Sequence, residues 1–546
     1  MNRYLLSSVL YALLLLRCSF APTAGGSTDT ELGSVVTGRV FDGAGESSVN
    51  TRVNLIPQDH NPVLDTSLPD YFTDSTDSIG DYFFNDVPPG TYNILADDSL
   101  SKRAVLIPDL EVGAVDTETV RSDTLRQTGS IAVERTVPSN TADGFYYIPG
   151  TFFFVSPAEN AVFNGVPPGN ITCVCFTEKS DSIRNYTIIT GVEVVAGDTT
   201  FIADHHEWLY SDTIILNTTE SGADISNNVL DFPLLLRLTG DNFDFDQVRE
   251  YGEDLRFTKR NGFPLPYEIE RWDTAARQAV IWVKVDTVRG NDSTQSIIMY
   301  WGNPVAPDNS NSAAVFDTAG GFQGVWHLSD ASEDSVRDAT VNGYHGVSPD
   351  TASPSITEGD VGNCREFDGT SEFITMPNTA TGKLDFPQNG TYSVSAWVMA
   401  DTFVDLQQTL VSKGRFQYFL WIDSTSWEFW ELQDQNGWEV SEQQATLKQW
   451  VLLTGVRNGA RQYLYVNGVY VDSLFLITNA APRNTEGDLN FGRAHELENA
   501  SEPYSNPCYF RGKIDEVRIS SVSRNADWIK LCFMNQRVDD RLIQFK

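Results

Sequence analysis

Apolar and polar residues alternate with a period of two along most of the chain, in short runs bounded by Gly, Pro, Asn and Asp, and this pattern predicts β-strands almost throughout. In the run from Tyr392 to Val398, Tyr392, Val394, Ala396 and Val398 form one face, and Ser393, Ser395 and Trp397 form the other. Asn467-Gly468, set between Tyr463–Val466 and Val469–Val471, predicts a tight hairpin, because such a two-residue turn needs positive φ at both central positions. Asp231–Leu238, Ala279–Val285 and Ser296–Trp301 are further strand runs, rich in β-branched and aromatic residues. The closing run Ala526–Cys532 predicts a short helix or an edge strand. The expected fold class is all-β, a multi-domain chain of β-sandwiches.

A weak internal repeat supports several small domains. Phe84-Asn85-Asp86-Val87-Pro88-Pro89-Gly90 returns as Phe163-Asn164-Gly165-Val166-Pro167-Pro168-Gly169, offset by 79 residues. Pro supplies the fixed φ, and Gly the positive φ, of a type II turn. Each copy predicts a small sandwich, over 30–122 and, shorter, 127–205. A chain of 546 residues has room for about three to five domains at roughly 100–200 residues each.

Three resemblances extend this reading. Thr37-Gly38-Arg39-Val40 and Val87-Pro88-Pro89-Gly90-Thr91-Tyr92 resemble the carboxypeptidase regulatory-like, prealbumin-type domain, which implies a spacer. Residues 208–316 end in Tyr300-Trp301-Gly302-Asn303 and resemble a bacterial domain of unknown function that commonly precedes laminin-G-like domains. Residues 317–546 carry Gly324-Val325-Trp326-His327-Leu328, Phe367-Asp368-Gly369 and Gly512-Lys513-Ile514-Asp515-Glu516-Val517-Arg518-Ile519, and resemble concanavalin A-like, laminin-G type lectin domains. The chain would then end in a concanavalin A-like jelly roll. The resemblance implies a non-catalytic adhesion or binding protein that recognises polysaccharide or another extracellular polymer. A purely structural envelope or assembly protein is the alternative, and a glycoside hydrolase a further one.

Charge narrows the partners. With 38 basic and 74 acidic residues the net charge is −36, so the field repels nucleic acid and anionic lipid headgroups. Arg3 followed by the apolar run Leu5–Leu16 predicts a signal peptide over 1–25, too short to span a bilayer. Export to the envelope surface or the medium is expected. Membrane contact would come only through a lipid anchor at Cys18, where Arg17 departs from the lipoprotein cleavage box. Among the remaining cysteines, Cys173 and Cys175 share one strand face, where extended geometry disfavours a bridge between them. Cys508 and Cys532 are near enough in sequence to close a loop, with the connectivity open.

Candidate chemistry lies mainly in the last domain. Trp427, Trp430 and Trp438, with Trp421, crowd one acidic segment and suggest an aromatic sugar platform, with core packing as the competing role. The laminin-G resemblance implies a calcium site at Asp338 and Asp515, near Asn342, against simple turn capping by the same acids. Catalysis is not expected. The Glu-x-Asp-x-x-Glu strand of related glucanases is absent, Glu428 and Glu431 fall on opposite strand faces, and the adjacent Asp515 and Glu516 are expected to point oppositely. No spacing suggests zinc, since Cys173-Val174-Cys175 lacks a second ligand pair and the adjacent His205 and His206 point to opposite strand faces, and neither Gly-x-Ser-x-Gly nor His-Glu-x-x-His occurs.

Overall fold

The computed structural model describes residues 34–546 except 66–71, 114–116, 120–121, 136–143, 157–159, 179–184, 206, 261, 350, 378–383, 388–389, 406, 415–416, 434–435, 476–486 and 495–506. The run Leu5–Leu16 and Cys18 lie outside the described residues. Strands dominate, as the period-two pattern predicts. Two units emerge: one takes in the chain up to Gln58 with Ser67–Asp98 and Val105–Leu125, and the other Asp59–Thr66, Ser99–Ala104 and everything from Arg126 on.

In the first unit, Ser34–Phe41 pairs antiparallel with Asp81–Val87 and parallel with Thr117–Thr119, while Arg52–Pro57 pairs with Gly90–Asp98. Val36, Val40, Val53, Leu55, Phe84 and Ile94 fill the space between the sheets. The second unit opens with the same arrangement. Gly129–Arg135 pairs antiparallel with Asn160–Val166 and parallel with Thr199–Asp204, and Gly169–Glu178 joins a separate sheet. In both copies Val-Pro-Pro-Gly therefore carries the chain from one sheet to another and is not the turn of a hairpin. The positive φ expected of its glycine is found at Gly169 (128°) and not at Gly90, because a crossing between sheets requires no tight reversal there. The left-handed position common to both copies lies four residues earlier, at Asp86 (φ 56°) and Gly165 (φ 74°).

The segment after Trp208 forms two sheets. One runs Arg256–Lys259, Gln295–Trp301, Tyr210–Leu216, Ile543–Phe545, and the other Val229–Thr239, Gln278–Val288, Tyr267–Asp273. The first of these is completed by the last residues of the chain. Ala526–Gln536, which the sequence leaves open between helix and edge strand, is a helix: Asn525 caps it by accepting from Trp528 N, and Trp528, Ile529, Leu531 and Cys532 are buried. This helix closes the edge of the three-stranded sheet. The Asn535 side chain accepts from Leu235 N at 2.7 Å and donates to Leu235 O at 3.0 Å, taking the place of a missing strand partner. The Arg237 guanidinium donates to the carbonyls of Asn535, Gln536 and Arg537, where the helix dipole is negative.

The remaining strands form two eight-stranded sheets packed face to face. One contains Arg511–Ser520 between Asn363–Asp368 and Thr391–Ala400, and the other contains Gln407–Lys413, Tyr418–Asp423, Ser426–Gln433 and Asn436–Gln444. Tyr392, Val394, Ala396 and Val398 point into the space between them, as their alternation predicts. Asn467 (φ 51°) and Gly468 (φ 76°) make the expected hairpin turn between the paired Val466 and Val469. The opposite face of the first sheet, with Trp397, Leu452, Val456 and Tyr465, packs into one core with the preceding domain and the terminal helix. The Trp397 indole donates to Gln536 Oε1 at 2.8 Å.

Removing the Asn535 amide leaves two buried backbone groups of Leu235 unpaired, each costing about 1–3 kcal/mol. Asn535→Ala is therefore expected to destabilise the chain by about 3 kcal/mol in urea unfolding. Asn227→Ala, at the exposed contact with Asp527 on the same helix, should change it by under about 0.5 kcal/mol.

Candidate functional site

Among the described residues, a dense group of buried charges lies where the two C-terminal domains meet. Strand Arg511–Ser520 carries a bulge: Ser395 pairs with Arg518 but Trp397 with Asp515, so three steps on one strand face two on the other. Glu516 takes up the extra residue with φ 50°. Ile514 and Val517 both point into the sandwich, and the two acids between them are left on the opposite side. Asp515 and Glu516 thus share one face, which corrects the expectation that adjacent strand residues point oppositely. A second left-handed residue, Leu328 (φ 62°), follows His327 at the end of Phe322–Trp326. Strain of about 1–3 kcal/mol at each such residue is maintained only by tight surroundings.

His327 links the two domains. Its Nδ1 lies 2.6 Å from Glu516 Oε1, and its Nε2 lies 3.2 Å from Glu268 Oε2 on the preceding domain. Glu270 Oε2 is 3.5 Å from Nδ1 and accepts from Trp282 Nε1 at 2.7 Å, while its other oxygen accepts from Ser329. Arg518 donates to Glu516 Oε2 at 2.6 Å and lies 4.4 Å over the Trp282 ring. Gly362 closes over the group, since a Cβ there would stand 2.8 Å from Glu270 Oε1.

Burial alone would strip the proton from His327, but Glu516, Glu270 and Glu268 outweigh it and raise its pKa well above the ordinary value. Burial likewise pushes Glu270 up to about 7, with His327 opposing and Glu516 adding to the shift. Glu516 moves the other way: burial would raise it, yet His327 and Arg518 hold it below the usual range. Asp515 is raised well above the carboxylate range by burial and then by Glu516. The ligand atoms of Glu270, His327 and Glu516 lie within 4.8 Å of one another, close enough for a metal ion. Their oxygens already accept from Ser329, Trp282, His327 and Arg518, so imidazolium and guanidinium supply the positive charge a metal would bring.

The residues expected from sequence fall elsewhere. Asp338 accepts from Val325 N, Thr340 N, Thr340 Oγ1 and Tyr344 N at 2.9–3.0 Å, which uses both oxygens in fastening a turn. Asp515 belongs to the seam and accepts from Val361 N. Asp338 thus commits both oxygens to the turn, whereas Asp515 Oδ1 is buried with no hydrogen-bond partner among the described residues. The Asn342 amide donates to Gln323 O. Trp427 is 0% exposed between the sheets and has no face for a ligand. Trp430 lies on the other side of the same strand, in a cluster with Phe419, Trp421 and Ala494. Trp421 and Trp430 have ring centroids 5.6 Å apart, and Trp421 Nε1 donates to Glu428 at 3.0 Å. Trp438 pairs in register with Glu431, and its side chain lies outside the described residues. Glu431 points inward to Arg457 and Gln462, away from Glu428, as strand parity predicts. Cys508 and Cys532 are separate buried thiols. The seam itself went unread, although Glu268 and Glu270 share one strand parity and so offered a signal.

An unfolded Glu titrates near ~4.3 and an unfolded His near ~6.5. Folding therefore holds extra protons on Glu270 and His327, and both contributions to stability decline as pH rises through neutrality. Glu516 behaves oppositely, its contribution being present above ~4.3 and declining in acid. The denaturation midpoint should fall from pH 6 to pH 9. His327→Gln should remove the part of that fall due to imidazolium deprotonation while costing about 3–5 kcal/mol at pH 6, as expected when one partner of a buried ion pair is lost.

Comparison with known proteins gives two family matches. Residues 368–530 match the concanavalin A-like lectin/glucanases superfamily, and residues 251–330 match a domain of unknown function, DUF2341. No curated protein matches the chain. Among solved structures, the binding domain of Paraclostridial Mosquitocidal Protein 1 is similar at 14% identity, with 40% of this chain and 52% of that chain covered and a TM-score of 0.33. The botulinum neurotoxin serotype D binding domain is similar at 14% identity, covering 39% and 51%, with a TM-score of 0.30. The chain spans about half the length of these structures. It is an all-β protein with a DUF2341 domain and, at its C-terminus, a concanavalin A-like domain of laminin-G type.

Proposed function

We propose that this chain is exported and that its C-terminal sandwich grips an extracellular polysaccharide without cleaving it, the N-terminal sandwiches acting as spacers. The observation that carries this reading is how the two outer sheet faces are used. One is taken up by the preceding domain and the terminal helix through Trp397, Leu452, Val456 and Tyr465. The other carries Phe419, Trp421 and Trp430 beside the Glu428 carboxylate. Indole rings next to a carboxylate suit sugars, whose C–H faces stack and whose hydroxyls donate. Trp421 and Trp430 are 3% and 4% exposed, so stacking requires a rearrangement that uncovers the rings, and binding is coupled to it. Glu428 and Glu431 lie on opposite faces of one strand and do not form a hydrolytic pair.

A second reading, cohesion without a ligand, draws on the charged seam that joins the two domains. Isothermal calorimetry of the full chain against a panel of plant and microbial polysaccharides, with and without calcium, separates the two. The binding reading expects retention of at least one polymer, with Trp421→Ala and Trp430→Ala each weakening it about tenfold or more, as buried aromatic anchors do. All three substitutions remove buried rings and should cost stability, about 3–5 kcal/mol for Trp427→Ala, but Trp427→Ala should leave the affinity of the folded protein unchanged. No retention of any polymer would leave cohesion as the role.

A further inference from the structure

A cavity of about 320 Å³ lies where the second small sandwich meets the domain that follows it, and it shares no residue with the charged seam or the aromatic face. Strand Asn185–Val194 forms one wall with Thr187, Ile188, Ile189 and Thr190. Asp204 and His205, at the end of Thr199–Asp204, form a second, and Arg260 and Tyr300 of the following domain a third. The walls are fastened to one another. Ala203 N donates to Gly262 O at 3.2 Å, and Gly262 (φ 79°) approaches Ile189 so closely that a Cβ would stand 2.3 Å from its Cδ1. His205 stacks on Tyr300 with ring centroids 4.4 Å apart and planes 6° from parallel. The cavity is thus preformed at a domain joint, where small-ligand sites concentrate.

The chain as a whole is strongly acidic, yet the charge beside this cavity is positive. Arg256 is 5% exposed, lies 5.5 Å over the Trp208 ring and donates to the carbonyls of Glu253, Leu255 and Pro307 and to the Tyr267 hydroxyl oxygen, none of which is a carboxylate. Burial, and after it Arg256, push the His205 pKa down to about 3, so its imidazole is neutral near pH 7 and adds no charge. Lys259 is neutralised by Asp286 at 2.8 Å. Arg260 is exposed at the cavity wall and takes part in no ion pair among the described residues. Against these two guanidinium groups stands one carboxylate, Asp204, which is 6% exposed and whose Oδ2 accepts from the Tyr146 hydroxyl at 3.0 Å. A guanidinium in this position suits a carboxylate, which it can hold through two parallel bonds. Asp204 only accepts, so a phosphate or sulfate would meet repulsion there, whereas a sugar hydroxyl donates to it. The Thr187 and Thr190 hydroxyls can pair with further sugar oxygens, and Ile188 and Ile189 offer an apolar wall to the C–H face of a ring. The volume is near the lower end of the about 300–1,000 Å³ usual for small-ligand sites, which suits one sugar ring.

We propose that this cavity binds a single hexuronic acid unit, free or at the end of a chain, with Arg260 on its carboxylate and Asp204, Thr187 and Thr190 on its hydroxyls. The site is separate from the aromatic face and does not depend on polymer binding there. The test is calorimetry of the full chain with methyl glucuronide and methyl galacturonide, each compared with its neutral methyl glycoside, and with trigalacturonate. The expected result is one equivalent of at least one uronide, bound tenfold or more tightly than its neutral counterpart. Affinity should fall tenfold or more in Arg260→Gln and stay unchanged in Arg337→Gln, which removes the same charge from an exposed position in the last domain. Binding of a methyl uronide alone assigns the free sugar acid as ligand, and binding of the trimer as well assigns a chain end; either outcome supports the site. A polymer held by the aromatic face responds instead to Trp421→Ala and not to Arg260→Gln, which keeps the two readings apart. No heat with any uronide at millimolar concentration, equal affinity for the neutral glycosides, or undiminished binding in Arg260→Gln would each overturn the proposal.

Discussion

The bulge at Asp515-Glu516 is the constraint on which the C-terminal half depends. A regular strand would have sent one of these acids into the apolar space between the sheets, where Ile514 and Val517 lie. The extra residue, accommodated by a left-handed Glu516, keeps both acids on the outer side. That side is covered by the preceding domain, so the acids are buried in any case and must be compensated there. His327 and Arg518 supply the positive charge, and Glu268 and Glu270 of the covering domain share the same imidazole. Because a buried charge is tolerated only with its partners in place, the group fixes how the two domains meet more than it adds stability.

The chain's end reinforces the same junction. The terminal helix covers Trp397 of the sandwich with Gln536 and completes the edge strand of the preceding domain with Asn535. Ile543–Phe545 then adds a strand to that domain's other sheet. Apolar packing, an ionic group and borrowed backbone pairing all cross one seam, and the two domains share a single core. A sandwich fastened in this way has one sheet face occupied by the preceding domain and the terminal helix.

Much of the architecture was legible in local pattern. Alternation placed Tyr392, Val394, Ala396 and Val398 inward, and Asn467-Gly468 marked its hairpin through the positive φ both residues adopt. The repeated Val-Pro-Pro-Gly marked two copies of one topology, though its role as a crossing between sheets was not readable from turn chemistry. The site was less legible. Strand parity separated Glu428 from Glu431 and Trp427 from Trp430 correctly, yet could not say which parity was the interior. Trp427 proved to be core, and Trp397, ambiguous in sequence, proved to be buried beneath a helix from the far end of the chain. Asp338 became a turn fastener because four donors converge on its carboxylate.

By itself the sequence determined the period-two strands, the turns whose residues demand particular φ values and the strong negative charge. Those properties are local or additive, so they survive without knowledge of what lies opposite. Only the tertiary structure decided which strand faces were covered, that a bulge turned two neighbouring acids the same way, and that His327 stood between glutamates from separate domains. The physical reason is that alternation defines two faces but not their neighbours. Burial, ion pairing and the ionisation of His327 and Glu270 come from those neighbours, His327 and Glu516 being brought together across 189 residues.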